Sequence, residues 1–467
     1  MRFVVGGIMN TGEFGAVYRP APLTRPKYYL SVPVLIACIF FFFLEYIYVN
    51  GQPFGGKVAG EFQAAEVDAT QGDIVRQVFY ITTFLVVLAL TLPFAWKRIL
   101  VQFSPALIML FAWALISSVW AVDPFVSFKR SVLATIAIVI TATTVIYLGR
   151  SRALTLVYYS LIFLFICNFL SVIAMPELAV HTGAEKDRAL VGAWRGIMPH
   201  KNHASAITAV SMIVFGYLAV TRRRVIDVVL FLSAVVFLIG TKGKTATAFV
   251  FPCLLTSLFY LYLLRFQGGR LMFFIFGLVM AITGLALAGV FSAQISDILS
   301  NPKSFTGRVA IWEIVLSYAN INPWLGAGFG TFWQVGDKSP ALAMSTPYQW
   351  SGNVAHSHNG YLELLATTGI PGLLLGLYAC VFQPVYIALT VSPRYRKIVG
   401  LLLGIWMFAV LYNLLETHIM TRDRQIWIIM IVILQSMYMI SLENMQQVRK
   451  KRYAPRLWSR TRAGSAA

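Results

Sequence analysis

The sequence predicts an all-α, polytopic membrane helical bundle of about twelve transmembrane helices, and three observations lead there. Of 467 residues, 58% are hydrophobic and 12% are charged, against roughly 25% charged in soluble domains. Apolar runs of about 20 residues, enough to span a bilayer as a helix, recur along the whole chain. The runs are uniformly apolar and lack the alternation that strands of an outer-membrane barrel require.

The first run extends from Tyr29 to Val49 and is broken only by Glu45. Further runs begin near Val78, Val101, Ser131, Leu154, Ala204, Val225, Thr245, Leu271, Tyr361, Ile398 and Gln425. Residues 1–28 then form an N-terminal segment, 29–441 the transmembrane domain, and 442–467 a basic tail. The stretch before the first run is too long and mixed for the basic region of a signal peptide. No small-residue cleavage site follows Val49, so a retained anchor is expected. Cys38, Cys167, Cys253 and Cys380 all sit in apolar runs and read as small buried hydrophobes.

Charge supplies the orientation. The formal net charge is +20. With twelve spans, one set of short connections holds Lys97, Arg98, Arg150, Arg152, Arg222, Arg223, Arg224, Arg265, Arg270, Arg394, Arg396 and Lys397, and the tail adds more. Lys and Arg bias sets topology, so both termini are expected on the cytoplasmic side of a bacterial inner membrane. That topology, together with contact to anionic lipid, accounts for the excess charge. Nucleic acid is not called for as a partner.

The opposite side carries the polar chemistry. Its dominant feature is a large extracytoplasmic loop, residues 292–360, between the ninth and tenth helices. All six histidines fall on this side, as do Lys242, Lys244, Arg308, Arg422 and Arg424. Positive charge on the disfavoured side points to a site for an anionic group, with ordinary solvated loop polarity as the alternative. In SFTGRVAIWE, Arg308 lies one helical turn before Trp312 on the same face. A surface ion pair with Glu313 is the competing role for that arginine. In NPWLGAGFGTFW, the glycines Gly326, Gly328 and Gly330 fit neither the dinucleotide nor the Walker spacing. They read as a tight turn that lets aromatic residues pack. AHSHNGYLEL closes the loop and places His358 near the start of the tenth span, where a neutral imidazole could take a proton near neutral pH. His356-x-His358 and His200-x-x-His203 also have spacings open to metal, but neither carboxylate nor cysteine completes a zinc pattern. No metal and no cofactor is expected.

Taken in order, WRGIMPHKNHAS, LIGTKGKTATA, TGRVAIWE, NPWLGAGFGTFW and HSHNGYLELLATTGIPGLLLGL resemble the O-antigen ligase and polysaccharide polymerase superfamily. Within it the chain is most similar to the exopolysaccharide-production polymerases, over about Leu190 to Glu416. The resemblance implies a metal-independent, anomer-inverting glycosyltransferase working at the periplasmic face. Its donor would be an oligosaccharide on undecaprenyl diphosphate and its acceptor a hydroxyl of a growing glycan, within the lipid bilayer and alongside other polysaccharide assembly proteins. It also implies roles: His358 as catalytic base with His356 as its substitute, and Arg308 and Lys244 at the donor diphosphate. Lys242, Arg195 and Glu416 would line the site. Many relatives carry arginine where Lys244 stands, and lysine lacks the planar fork of arginine. The absence of an Asp-x-Asp pair argues against a nucleotide-sugar donor held through metal. Two alternatives stay open. One is an O-antigen ligase transferring the glycan to lipid A core. The other is a solute transporter, although the spans hold few ionisable groups and no paired halves.

Overall fold

A computed structural model describes residues 31–49, 51, 53–56, 73–182, 190–300, 304–344, 354–421 and 424–453. The expected N-terminal segment 1–28, Arg422 and the tail beyond residue 453 lie outside the described residues.

Each apolar run forms a helix. In chain order these are α1 (Val32–Tyr48), α2 (Ile74–Gln102), α3 (Pro105–Ile116), α4 (Pro124–Leu148) and α5 (Arg150–Ala174). There follow α6 (Lys201–Arg222), α7 (Val225–Thr241), α8 (Lys244–Leu263) and α9 (Gly269–Val290). Two helices, α10 (Ser292–Ser300) and α11 (Ser304–Ile321), belong to the large loop. Then come α12 (Gly360–Leu377), which continues through a π-helical turn to Thr390, α13 (Arg396–Tyr412) and α14 (Gln425–Tyr453). No strand occurs among the described residues, only isolated bridges such as Val180 to Trp194. Nine helices there are long and apolar enough to cross a membrane, while α1, α3 and α7 are shorter apolar helices. The chain is therefore a multi-pass, all-α membrane protein.

Burial separates centre from rim. Of their apolar windows, 78% in α4, 83% in α6 and 83% in α14 is covered by protein, against 0% in α9. Small and hydroxylated side chains let the central helices approach closely, as membrane packing requires. Gly400 and Gly404 on α13 face Tyr217 of α6 and Ser257 of α8, and the Ser257 hydroxyl donates to the Gly400 carbonyl at 2.6 Å. The Tyr217 hydroxyl donates to the Lys397 carbonyl at 2.7 Å. Of the cysteines, Cys253 and Cys380 are buried as expected, but Cys38 is exposed and Cys167 half-buried. This corrects the expectation of four buried thiols. A helix rim facing acyl chains accommodates an apolar side chain without any cover from protein.

The large loop has a small core of its own, built from Ile311, Ile314, Val315, Tyr318, Phe332 and Trp333. Its glycine-rich stretch is the expected tight turn. Gly328 has φ +89°, and a Cβ there would lie 2.1 Å from that of Ala121. The turn is wedged between the α3–α4 connection and α12. The Val122 amide donates to the Ala327 carbonyl at 2.9 Å, and the Trp120 indole to the Leu325 carbonyl at 3.0 Å. Opposite it α12 breaks at Gly369 (φ 68°, ψ −171°). The Ile370 amide freed by the break donates to the Pro323 carbonyl at 2.8 Å. Non-helical backbone inside a spanning segment thereby finds a protein partner, the condition on which membranes tolerate it. Arg130 of α4 fixes the far side of the turn by donating to the carbonyls of Gly330, Trp333 and Gln334.

Candidate active site

Three helices begin at one place. His200 caps α6, its Nδ1 accepting from the Asn202 amide at 3.1 Å. Asn359 caps α12, its Oδ1 accepting from the Tyr361 and Leu362 amides at 2.9 and 3.1 Å. Arg424 directly precedes α14, and its carbonyl accepts from the Trp427 and Ile428 amides. Side chains from these three beginnings, together with Tyr412, Glu416 and His418, line a pocket of roughly 210 Å³. Each helix start carries partial positive charge, so the pocket favours an anion. All six histidines gather here. Five of them line the pocket, and the ring of the sixth, His181, packs 5.2 Å from that of His200.

The segment carrying His358 is held from both sides. The Trp312 indole on α11 donates to the Ser357 carbonyl at 3.1 Å, and the Ser357 amide donates to Glu363 at 2.8 Å. The Trp333 indole meets the same carboxylate at 3.1 Å. From the other direction, the Gly360 amide donates to the Asn413 carbonyl at 2.8 Å and the Asn359 side chain to that of Leu414 at 3.1 Å. Between these anchors His358 adopts φ +51°, a left-handed conformation uncommon for a residue with a side chain. Such backbone persists only where its surroundings impose it, and it clusters at functional positions.

Glu416 is the hub. Its Oε1 pairs with Arg308 Nη2 at 2.7 Å and accepts from the Asn202 amide group at 3.1 Å. Its Oε2 lies 3.4 Å from His358 Nδ1. The side chain is only 10% exposed. Burial alone would raise its pKa, but the hydrogen bond with His358 and the Arg308 charge outweigh burial and hold the carboxyl well below the usual carboxylate range. An ionised carboxylate only accepts hydrogen bonds. The proton of a neutral His358 therefore sits on Nδ1, and Nε2 is left as the nitrogen that can accept one. His356 is a different case. Burial, with neighbouring His358 and Arg424, pushes its pKa well below the ordinary histidine value, so it is neutral at physiological pH.

The residues expected from sequence divide into two groups. His358, His356 and Glu416 line the pocket. Arg308 stands behind Glu416, with its other guanidinium nitrogen donating to the Leu415 carbonyl. Lys242, Lys244 and Arg195 do not line it. Lys242 is exposed and donates to the Val191 carbonyl at 3.0 Å, and Arg195 donates to that of Leu178 at 2.8 Å. Exposed Lys244 opens α8, next to Gly243, which packs on Ser205 of α6. His200, Asn202, His203, Tyr412, His418 and Arg424 complete the pocket without having been singled out as site residues. Asn202 and His203 stand in the PHKNHAS motif, so that motif was their signal. Arg424 was legible only as a cation on the disfavoured side. No group of three or more His, Cys, Asp or Glu side chains among the described residues is placed to hold a metal ion.

Residues 228–377 match the family model described as O-antigen ligase. The exopolysaccharide production protein ExoQ of Rhizobium meliloti (strain 1021) is 28% identical over 101 residues. That stretch covers 22% of this chain and 23% of the relative, so the similarity spans about a quarter of that protein's length. The family match holds Lys242, Lys244, Arg308, His356 and His358, while Arg195, Glu416 and Arg424 lie beyond its ends.

Proposed function

We propose that this multi-pass membrane protein, matched to the O-antigen ligase family over residues 228–377, polymerises undecaprenyl-diphosphate-linked oligosaccharide repeat units at the periplasmic face. One observation carries the reading: His358, with Nδ1 3.4 Å from Glu416 Oε2, lines a pocket at which three helices begin. His358 takes the proton of the acceptor hydroxyl as its oxygen attacks the anomeric carbon. The bond from that carbon to the diphosphate oxygen breaks, and its electrons leave with undecaprenyl diphosphate. A single displacement of this kind inverts the anomeric centre. The leaving group is stabilised by positive charge at the pocket and needs no proton of its own. Arg308 and Asn202 keep Glu416 charged and in place. The match to ExoQ, whose name specifies exopolysaccharide production, favours chain growth over transfer to lipid A core.

Purified full-length protein supplied with lipid-linked repeat units should give a ladder of longer glycans, undiminished by excess chelator. Product formed only when lipid A core is added would replace polymerase by ligase. Loss to chelator with recovery on one divalent ion would overturn metal independence.

The orientation is tested separately, in a variant lacking the four native cysteines because Cys38 is exposed. A membrane-impermeant maleimide added outside should label exposed Lys338→Cys in the large loop and spare exposed Arg152→Cys at the start of α5. The reverse pattern would move the pocket to the cytoplasm and remove the periplasmic reaction.

A further inference from the structure

Among the described residues the cation that lines the pocket is Arg424. Arg308 and Glu416 neutralise each other at 2.7 Å, and Arg308 is not among the lining side chains. Arg424 lines the pocket, donates to Nε2 of His203, and lies 3.4 Å from Nε2 of His356. Among the described residues no carboxylate lies within ion-pair distance of it. Neutral imidazoles are weak acceptors for a guanidinium, whereas phosphate oxygens form two parallel charge-assisted bonds with its fork.

We propose that Arg424 binds the diphosphate of the lipid-linked donor, and that Arg308 is a positioning residue acting through Glu416. This rests on the lipid-diphosphate donor proposed above. The guanidinium exchanges its two imidazole partners for phosphate oxygens when the donor arrives, next to the positive start of α14.

Full-length protein in nanodiscs is titrated with farnesyl diphosphate, inorganic pyrophosphate and farnesol. Farnesyl diphosphate should bind and farnesol should not. Arg424→Gln should weaken the diphosphate lipid about tenfold to a hundredfold, the range for a hydrogen bond to a charged group. Arg424→Lys should fall between, since a point charge replaces the fork only in part. No binding of farnesyl diphosphate by the unaltered protein would overturn the donor reading and this assignment together. Equal binding by Arg424→Gln would overturn the assignment alone. Pyrophosphate competing as well as the lipid would reassign the site to a free anion. Should Arg424→Gln fail to fold, arginine-selective modification of the unaltered protein by phenylglyoxal decides the matter. Farnesyl diphosphate should shield Arg424, and equal modification with and without it would overturn the proposal.

Discussion

His358→Ala is expected to lower turnover by about 10²–10⁴-fold, the usual contribution of a general base, while leaving donor binding within about twofold. The separation follows from the proposed mechanism, in which the base meets the acceptor hydroxyl in the transition state while the donor is already held. His356→Gln is the matched control and should be mild, because its imidazole faces His358 and Arg424 from the side and is kept neutral. Radiolabelled repeat units allow single-turnover rates and donor affinity to be read on the same preparations, after size-exclusion profiles show equal folding. Equal, mild losses at both positions would place the base elsewhere, with Glu416 the first candidate.

Glu416→Gln should lower turnover by about 10²-fold or more and destabilise the protein as well. An amide no longer enforces the Nδ1–H form of His358, and loss of the corresponding carboxylate in a serine protease triad shows how much the wrong tautomer costs. It also leaves Arg308 buried without its counterion, a loss of about 3–5 kcal/mol for a buried pair. The pH dependence has a definite sign. The folded-state pKa of Glu416 lies below its unfolded value, so its stabilisation is complete at neutral pH and lost as pH falls through the folded pKa. Thermal unfolding should therefore separate the two proteins widely at pH 7 and bring them together as the solution is acidified below the carboxylate range. A constant gap across that range would mean that Glu416 is not held by its neighbours in the ionised form.

How far the sequence revealed this site follows from distance along the chain. Helices were legible because apolar character is local: a run such as Gln425 onward needs no partner to declare itself. Local spacing also placed Trp312 one turn beyond Arg308, and both reach the same neighbourhood, one to Ser357 and the other to Glu416. The partner of Arg308 was another matter. Periodicity offers only near neighbours such as Glu313, whereas Glu416 is 108 residues away. Arg424 was legible only as a cation on the disfavoured side for the same reason, since its contacts to His203 and His356 span 221 and 68 residues. Cys38 shows a third limit: apolar sequence declares membrane depth, not whether a side chain faces protein or lipid.

The meeting of three helix beginnings has a kinetic consequence. Cleaving the anomeric bond turns a phosphodiester into a terminal phosphate, whose second ionisation near pH 6 adds up to one negative charge at neutral pH. With the donor proposed above, the field that draws it in would grip the spent carrier harder than it gripped the substrate. Departure of undecaprenyl diphosphate, and not bond formation, would then set the pace, as release does in many efficient enzymes. A fast first addition followed by slower steady growth is the signature of such a trap, and any enzyme that removes the spent lipid would quicken this one without touching it.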